Sequence, residues 1–299
     1  MTYSIVARDP ETGALGVGVQ TCMFAVGAMV PWARAGVGAV ATQAFSERAY
    51  GWRCLEAMAG GRPAGEALAA ARAADDAAAM RQVGVVDATG SSAAFTGELC
   101  VDYAGDQHGP GFTVQANMMA SPDVWPAMAG AYESASGRLP ERLLAALVAG
   151  EEAGGDARGR MSAALLVVDG ERRDDATGGV LVDLRVDAHD EPLDELARLL
   201  RASDAFDHYF RAVGAMGAGD NAAVSREVGE ALALLPDDEN ILFVRAGSLF
   251  FAGRIDEGRA ALRALLGRRP TWSTIVRSFV DKGLIAMPPG VDLAELLGP

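Results

Sequence analysis

The stretch MTYSIVARDPETGALGVGVQT, residues 1–21, decides the fold, because it predicts that the chain opens with a β-hairpin. Residues 3–8 alternate apolar with polar or small residues, which is the period of a strand. Residues 9–13, DPETG, combine proline and glycine in a strong turn signal. Residues 14–22 predict the returning strand, so this hairpin supplies the first two strands of a β-sheet core.

Outward from the hairpin, strands and paired helices alternate. Strands are predicted at 36–45, 83–89, 92–96, 111–119, 161–169 and 179–187. Helices are predicted over 46–60, 63–82, 121–136 and 140–154, with serine caps or proline starts. Because the helices come in pairs rather than singly between strands, a doubly wound parallel sheet is disfavoured. The order favours an α+β fold, a layered antiparallel sandwich with 46–82 on one outer face and 121–153 on the other.

The C-terminal third is predicted to be wholly helical from about residue 193 and contains an internal repeat. Four pairs of positions match at an offset of 34 residues: Gly219 with Gly253, Pro236 with Pro270, Ala212 with Ala246, and Tyr209 with Phe243. A turn glycine and a closing proline at this period resemble tetratricopeptide repeats, here over about 205–238 and 239–272. The alternative is a chance match between alanine-rich helices. We predict domains at 1–200 and 205–299, with 188–204 linking them.

Composition excludes several functions. The 299-residue chain carries a net charge of −14 with a pI of about 4.7, so nucleic acid and an anionic membrane surface are disfavoured as partners. Residues 1–10 lack a signal-peptide pattern, and no apolar stretch is long enough to span a bilayer. We therefore expect a cytoplasmic protein.

The number and spacing of the cysteines and histidines argue against a disulfide framework and against a metal site. Three cysteines, Cys22, Cys54 and Cys100, are far apart in sequence, which disfavours a disulfide framework. The three histidines, His108, His189 and His208, lack metal-ligand spacing. We predict no metal site and no cofactor.

Thr2 is the residue whose chemistry is most informative. Removal of Met1 would leave Thr2 with both a hydroxyl and a free α-amine, whose ordinary pKa of about 7.7–8.0 lies near cellular pH. Such an amine can take the hydroxyl proton and later donate it to a leaving amine. The alternative is a Met-Thr start without functional consequence.

Five stretches together resemble the domain-of-unknown-function 1028 family, which is grouped with the N-terminal-nucleophile (Ntn) hydrolases. They are MTYSIVARDPETGALGVGVQT (1–21), VPWARAGVGAVATQA (30–44), FTVQANMM (112–119), AGGDARGRMSAALLVV (153–168) and DLRVDAH (183–189). The resemblance covers roughly residues 2–200. It implies a four-layer αββα fold and Thr2 at the nucleophile position, and it implies no particular substrate.

Two further residues are candidates for the catalytic site. Asn117, at the end of a predicted core strand, would offer amide N–H donors to a developing oxyanion. Its alternative is an asparagine that binds its own loop. Arg34 would hold positive charge near Thr2 and keep the α-amine neutral, since arginine cannot act as a base. Its alternative is an ion pair with a nearby carboxylate.

Three residues are candidates for substrate binding. Asp156 and Arg160, in the glycine-rich run 154–160, would grip a substrate's ammonium and carboxylate groups. The alternative for the glycines is a helix cap followed by a turn. Gln43, among small residues on a predicted core strand, would point into a pocket or be a satisfied buried glutamine.

These residues leave competing functions open. The first is an amide hydrolase that uses Thr2 on a small-molecule amide or peptide-like substrate. The second is a catalytically silent Ntn scaffold whose helical repeats bind a partner protein, and the third is a small-molecule-binding regulator without turnover. The sequence does not decide the oligomeric state, although relatives of this fold often form homo-oligomers.

Overall fold

The computed structural model describes residues 2–173, 175, 177–283, 285 and 291–297. The chain divides into two compact units, Met1–Leu200 and Arg201–Pro299. The first unit contains two β-sheets and four helices packed on them, and the second is helical.

The opening hairpin lies inside the larger sheet of the first unit. Its strands are β1 Thr2–Arg8, β2 Leu15–Thr21, β7 Gly105–Gly109, β8 Phe112–Asn117, β9 Ser162–Val168 and β10 Val180–Val186. They pair antiparallel throughout, in the order β10-β9-β2-β1-β8-β7. The hairpin turn places Gly13 at φ +77°, a conformation that favours glycine.

The smaller sheet has four antiparallel strands in sequence order. They are β3 Pro31–Arg34, β4 Gly38–Ala44, β5 Arg81–Asp87 and β6 Ser92–Thr96. Val6 and Val17 of the larger sheet pack against Ala39, Ala41 and Val86 of the smaller one, so the two sheets face each other.

Paired helices cover the outer face of each sheet. The helices are α1 Ala49–Ala59, α2 Ala64–Ala73, α3 Val124–Ser134 and α4 Leu139–Glu152. Tyr50 of α1 and Leu68 of α2 are buried with Val85 of the smaller sheet, whereas Met128 of α3 and Leu143 of α4 are buried on the larger sheet. The predicted α+β sandwich with helices outside is therefore confirmed.

Two strands and one helix end differ from the sequence prediction. β3 and β7 were not predicted, because β3 is short and β7 is a half-exposed edge strand with the polar sequence GDQHG. The helix predicted over 63–82 ends at Ala73. The chain turns at Asp75, whose carboxylate accepts from Ala77 N at 3.0 Å and from Arg81 Nε at 2.9 Å. Residues 81–87 consequently form β5.

The second unit contains helices joined by tight turns. They are α5 Pro192–Gly217, which begins in the first unit, α6 Asn221–Leu234, α7 Glu239–Phe251, α8 Ile255–Arg268, α9 Trp272–Asp281 and α10 Leu293–Leu297. Gly219 and Gly253 adopt φ of +74° and +72° in the turns before α6 and α8. The predicted helical C-terminal region is confirmed, whereas its assignment to the tetratricopeptide type stays a prediction.

The residues predicted to link the two domains are largely helical. Leu193, Leu196 and Leu200, in the first turns of α5, are buried in the core of the first unit. In the part of the chain that the structure describes, no helix combines the length and apolar character needed to cross a membrane.

Candidate functional site

The inward faces of the strands change from apolar to polar toward one end of the sandwich. Along β1, the buried inward side chains run from Val6 through Ser4 to Thr2. The same change occurs on the neighbouring strands, from Val19 to Thr21 on β2, from Ala41 to Gln43 on β4, from Val86 to Gln82 on β5 and from Ala164 to Ser162 on β9. Because these five strands change toward the same end, the sandwich acquires one polar end.

Thr2 is the first residue of β1 and lies at this polar end with 5% of its surface exposed. Its Oγ1 donates to Thr21 Oγ1 at 3.4 Å, a long contact for two hydroxyls. Its carbonyl oxygen accepts from Gln43 Nε2 at 3.0 Å and from Asn117 Nδ2 at 3.3 Å. The backbone of Thr2 is therefore held from both sheets. The predicted removal of Met1 concerns a residue outside the described ones.

Two cross-strand pairs face each other around Thr2. Thr2 pairs with Asn117 across β1 and β8, and Gln43 pairs with Gln82 across β4 and β5. Gln82 joins the two pairs, since its Oε1 accepts from Gln43 Nε2 and Asn117 Nδ2, each at 2.8 Å. Its Nε2 donates to Ala116 O at 2.8 Å. A fully hydrogen-bonded buried network of this kind is rigid, because each broken bond leaves an unpaired polar group.

The network continues away from Thr2 through Ser4 and Gln115. Ser4 Oγ donates to Gln43 Oε1 at 2.7 Å and accepts from Gln115 Nε2 at 2.5 Å. Gly84 on β5 faces Gln115, and a Cβ at Gly84 would overlap the Gln115 amide. The glycine therefore leaves the space that the glutamine occupies.

Asp156 lies beside the end of β2. Its side chain has 0% exposed surface and accepts from Cys22 N at 3.3 Å and from Arg158 N at 3.0 Å. Arg158 binds the same carboxylate through Nε at 3.3 Å and Nη2 at 3.2 Å. Burial, followed by the charge of Asp156, raises the pKa of the Cys22 thiol, so Cys22 is a poor nucleophile at neutral pH.

Arg160 belongs to a different cluster. Its Nη1 donates to Glu151 Oε1 at 3.0 Å, and it also pairs with Glu191. Glu151 Oε2 accepts from Tyr3 OH and Gln20 Nε2, each at 2.7 Å. Tyr3 alternates with Thr2 along β1 and points to the helix-covered face of the sheet. Arg160 and Asp156 therefore belong to separate clusters and do not form one substrate-binding pair. The arginine that binds Asp156 is Arg158.

Arg34 is not brought to Thr2, so the prediction that the two lie close together is wrong. It pairs with Gly38 on β4, five residues before Gln43, which at about 3.3 Å per residue separates them by about 16 Å. Arg34 Nη2 instead binds Glu56 Oε1 at 2.6 Å on the surface. β3 runs away from the polar end, and this carries Arg34 toward the opposite end of the sheet.

Exposed apolar side chains flank the polar end, and we call them the apolar rim: Met23, Phe24, Phe45, Val101 and Met161. Met23 and Phe24 follow β2, and Phe45 follows β4. Met161 N donates to Thr21 O at 2.9 Å, and Val101 O accepts from Met118 N at 2.8 Å, next to Asn117. Phe24 is 68% exposed, so the rim offers apolar surface beside buried polar groups.

Sequence reasoning missed several residues of this site, namely Ser4, Thr21, Gln82, Gln115 and Arg158. The available signal was a polar residue at an inward position near the same end of successive strands. Gln82 carried that signal, but it was assigned to the end of a helix. Among the described residues, no group of three or more His, Cys, Asp and Glu is placed to hold a metal ion.

Comparison with known proteins identifies the family of this chain. No curated protein matches the chain. A crystal structure of a Silicibacter pomeroyi protein assigned to DUF1028 is similar, with 34% sequence identity and a TM-score of 0.61, over 67% of this chain and 84% of that one. The model of the family of unknown function DUF1028 matches residues 2–196. Since that match spans more than half of the chain, this protein belongs to the DUF1028 family.

Proposed function

We propose that the chain is an N-terminal-nucleophile amidohydrolase, in which Thr2 attacks a small amide or peptide-like substrate after Met1 is removed. The observation that carries the proposal is the clamp on Thr2. Its carbonyl oxygen is held by Gln43 and Asn117 from opposite sheets, while its hydroxyl contacts Thr21. A nucleophile is effective when its position is fixed before the substrate arrives.

The reaction follows from the groups on Thr2 itself. Its Oγ1 attacks the amide carbon, and its freed α-amine takes the hydroxyl proton. The same amine then protonates the leaving nitrogen as the C–N bond breaks, which leaves an ester on Thr2. Water hydrolyses that ester and restores the hydroxyl. In this scheme the Thr2 hydroxyl turns its proton from Thr21 Oγ1, to which it donates in the structure, toward the α-amine.

Asn117 has the role of oxyanion donor in the proposal. Its Nδ2 donates to two protein oxygens, Thr2 O at 3.3 Å and Gln82 Oε1 at 2.8 Å. The longer bond lies outside the usual N–H···O range and is weak. A developing negative oxygen accepts a hydrogen bond more strongly than a neutral carbonyl, so it would displace Thr2 O while Gln82 keeps the amide oriented.

The other candidate residues take supporting roles. Gln43 holds Thr2 rather than substrate, since Ser4 Oγ binds its Oε1 and its Nε2 faces protein acceptors. Asp156 organises the segment that follows Thr21 through its bond from Cys22 N. Arg160 anchors the opposite face through Glu151.

The test combines a mass measurement with turnover. The N-terminal mass of the purified protein reports whether Met1 is lost. Wild type, Thr2→Ala and Thr2→Ser are then assayed against one panel of amides. Loss of Met1 with turnover in wild type and none in Thr2→Ala supports the hydrolase. Retained Met1, or turnover that survives in Thr2→Ala, contradicts it.

A second candidate function rests on the helical unit. A cleft of about 330 Å³ between α7 and α8 is lined by leucines and alanines, by the basic Arg245 and Arg268, and by one acidic residue, Glu257. Apolar and cationic groups together fit a peptide segment with acidic residues. Under this proposal the first unit is a silent scaffold, and Met1 retention together with binding of an acidic peptide, lost in Arg245→Glu, would favour it.

A further inference from the structure

We propose that Arg158 is an anion-binding residue of the Thr2 site, so that the substrate carries a carboxylate near the amide that is cut. The inference rests on the proposed function, because it names the class of substrate for that same site. The substrate class is an N-acyl amino acid or a similar amide with one carboxylate and one apolar group.

A series of contacts connects Thr2 with Arg158. Thr2 Oγ1 contacts Thr21 Oγ1, which also accepts from Met23 N at 3.3 Å. The intervening Cys22 N donates to Asp156, and Asp156 binds Arg158. The Arg158 Nη1 lies 3.8 Å from the sulfur of Met23. The guanidinium therefore stands next to the segment that carries the hydroxyl partner of Thr2.

The guanidinium is oriented with donors left over. Asp156 takes the Nε–H and one N–H of Nη2. A guanidinium has five N–H donors, so one N–H on Nη2 and two on Nη1 lie outside this pair, and one of those on Nη1 faces only the Met23 sulfur, a weak acceptor. These form the end-on edge that binds a carboxylate through two parallel hydrogen bonds. The Arg158 side chain is 36% exposed while Asp156 is fully buried, so Arg158 is the member of the pair that solvent can reach.

Arg160 shows by contrast what a structural arginine of this loop looks like. Its Nε donates to Asp190 O at 3.1 Å, its Nη1 binds Glu151, and its Nη2 binds Glu191. Each of its three nitrogens therefore already has a protein acceptor. Among the described residues, the Arg158 guanidinium binds the Asp156 carboxylate and contacts the Met23 sulfur.

Charge and surface chemistry around the site agree with this ligand. The chain carries a net charge of −14, which repels anions unless a local cation attracts them. Arg158 provides that cation at the polar end. Met23, at its Nη1, belongs to the apolar rim. A ligand with a carboxylate on Arg158 and an aromatic or aliphatic group on the rim uses both features.

The experiment measures binding without turnover, so that its failure is distinct from failure of the hydrolase. The protein is the full chain with Thr2→Ala, and the probes are N-acetyl-L-phenylalanine and N-acetyl-L-phenylalaninamide. These ligands differ in the carboxylate. Calorimetry should show the acid binding about tenfold or more tighter than the amide, as expected for charge-assisted hydrogen bonds. Arg158→Gln should remove that preference.

The matched control is Arg185→Gln. Arg185 is held through Nε and Nη2 by the carboxylate two residues before it, Asp183, as Arg158 is held by Asp156. It lies on β10, three strands from β1, so it should leave the preference unchanged. The double variant Asp156→Asn with Arg158→Gln avoids a buried unpaired carboxylate and should also lose the preference.

Three results would overturn the assignment. They are equal affinity for the two probes, no binding of either, and a preference for the acid that survives in Arg158→Gln or in the double variant. A preference that depends on Arg158 in a protein without amidase turnover would leave the anion site standing and reject the hydrolase.

Discussion

The same strands form both ends of the space between the two sheets, but one end is lined by apolar side chains and the other by polar side chains. At one end, Val6, Val17 and Val86 pack with Ala39 and Ala41 of β4 in an apolar cluster. At the other end, Ser4, Gln43, Gln82, Gln115 and Asn117 are buried and joined by hydrogen bonds. The apolar end can supply cohesion without directional bonds, whereas the polar end fixes the orientation of each group.

This difference indicates that the polar end is the place to look for the function. Burying amide groups costs free energy unless every donor and acceptor is paired. Apolar side chains would fill the same volume at a lower cost in free energy. Five buried polar residues at one end are therefore poorly explained by stability alone. Their bonds converge on the carbonyl oxygen of Thr2 and on Asn117, which is what positioning of a nucleophile requires.

The largest expected effect is on turnover at the polar end. Thr2→Ala should abolish amide hydrolysis, a loss of about 10⁴-fold or more, because the attacking oxygen is removed. The substitution leaves in place the hydrogen bonds that the Thr2 carbonyl oxygen accepts from Gln43 and Asn117, so thermal unfolding should shift little. Thr2→Ser keeps a hydroxyl and is the control. Equal turnover in Thr2→Ala and wild type would contradict the role of Thr2.

The second largest expected effect is the loss of kcat when Asn117 is substituted. Asn117→Ala should lower kcat by roughly a hundredfold, the usual cost of one oxyanion donor, with a smaller change in KM. Thr113→Ala is the control at the same strand, since Thr113 is buried and binds Gln115 rather than Thr2. A kcat for Asn117→Ala within threefold of the control would show that Asn117 is only structural.

The third effect tests the apolar end. Val17→Thr keeps the shape of the side chain but buries a hydroxyl among aliphatic groups, since Val17 lies between Val6 and Leu166 in the sheet, and it should lower the free energy of unfolding by about 1–3 kcal/mol. Denaturant unfolding measures this change. Turnover per folded molecule should stay near the wild-type value. A loss of turnover without a loss of stability would mean that the two ends are not functionally separate.

Much of the fold was predictable because its signals are local. The hairpin of β1 and β2 follows from alternation and the DPETG turn, and the starts of α2 and α4 follow from Pro63 and Pro140. The serine caps predicted for the other two helices were wrong, because α1 and α3 begin three residues after Ser46 and Ser121. The edge strand β7 was not predictable, because a polar edge strand lacks alternation. The position of Asn117 beside Thr2 agrees with the expectation, while its role remains a prediction.

The rest of the site depends on distances that a sequence does not contain. Alanines before Asp75 extend the helix pattern, so Gln82 was placed on α2 rather than opposite Gln43. Arg34 was expected near Thr2 because it lies on an early strand. However, β3 and β4 are antiparallel, so Pro31 rather than Arg34 is nearer the polar end. Which of two nearby arginines meets Asp156 depended on the glycine turns around residues 154–160.

The smallest expected effect is that of Arg34→Ala. The ion pair with Glu56 is exposed on both sides, and exposed pairs contribute about 0–1 kcal/mol because water and salt screen them. Arg34 also lies toward the apolar end, so turnover and its pH profile should match wild type. Glu56→Ala should give the same small change in the denaturation midpoint, and the double variant should show little coupling. If Arg34→Ala instead shifted the pH profile of kcat, the arginine would be tuning the α-amine of Thr2 across the length of the sheet, and the two ends of the sandwich would be coupled rather than separate.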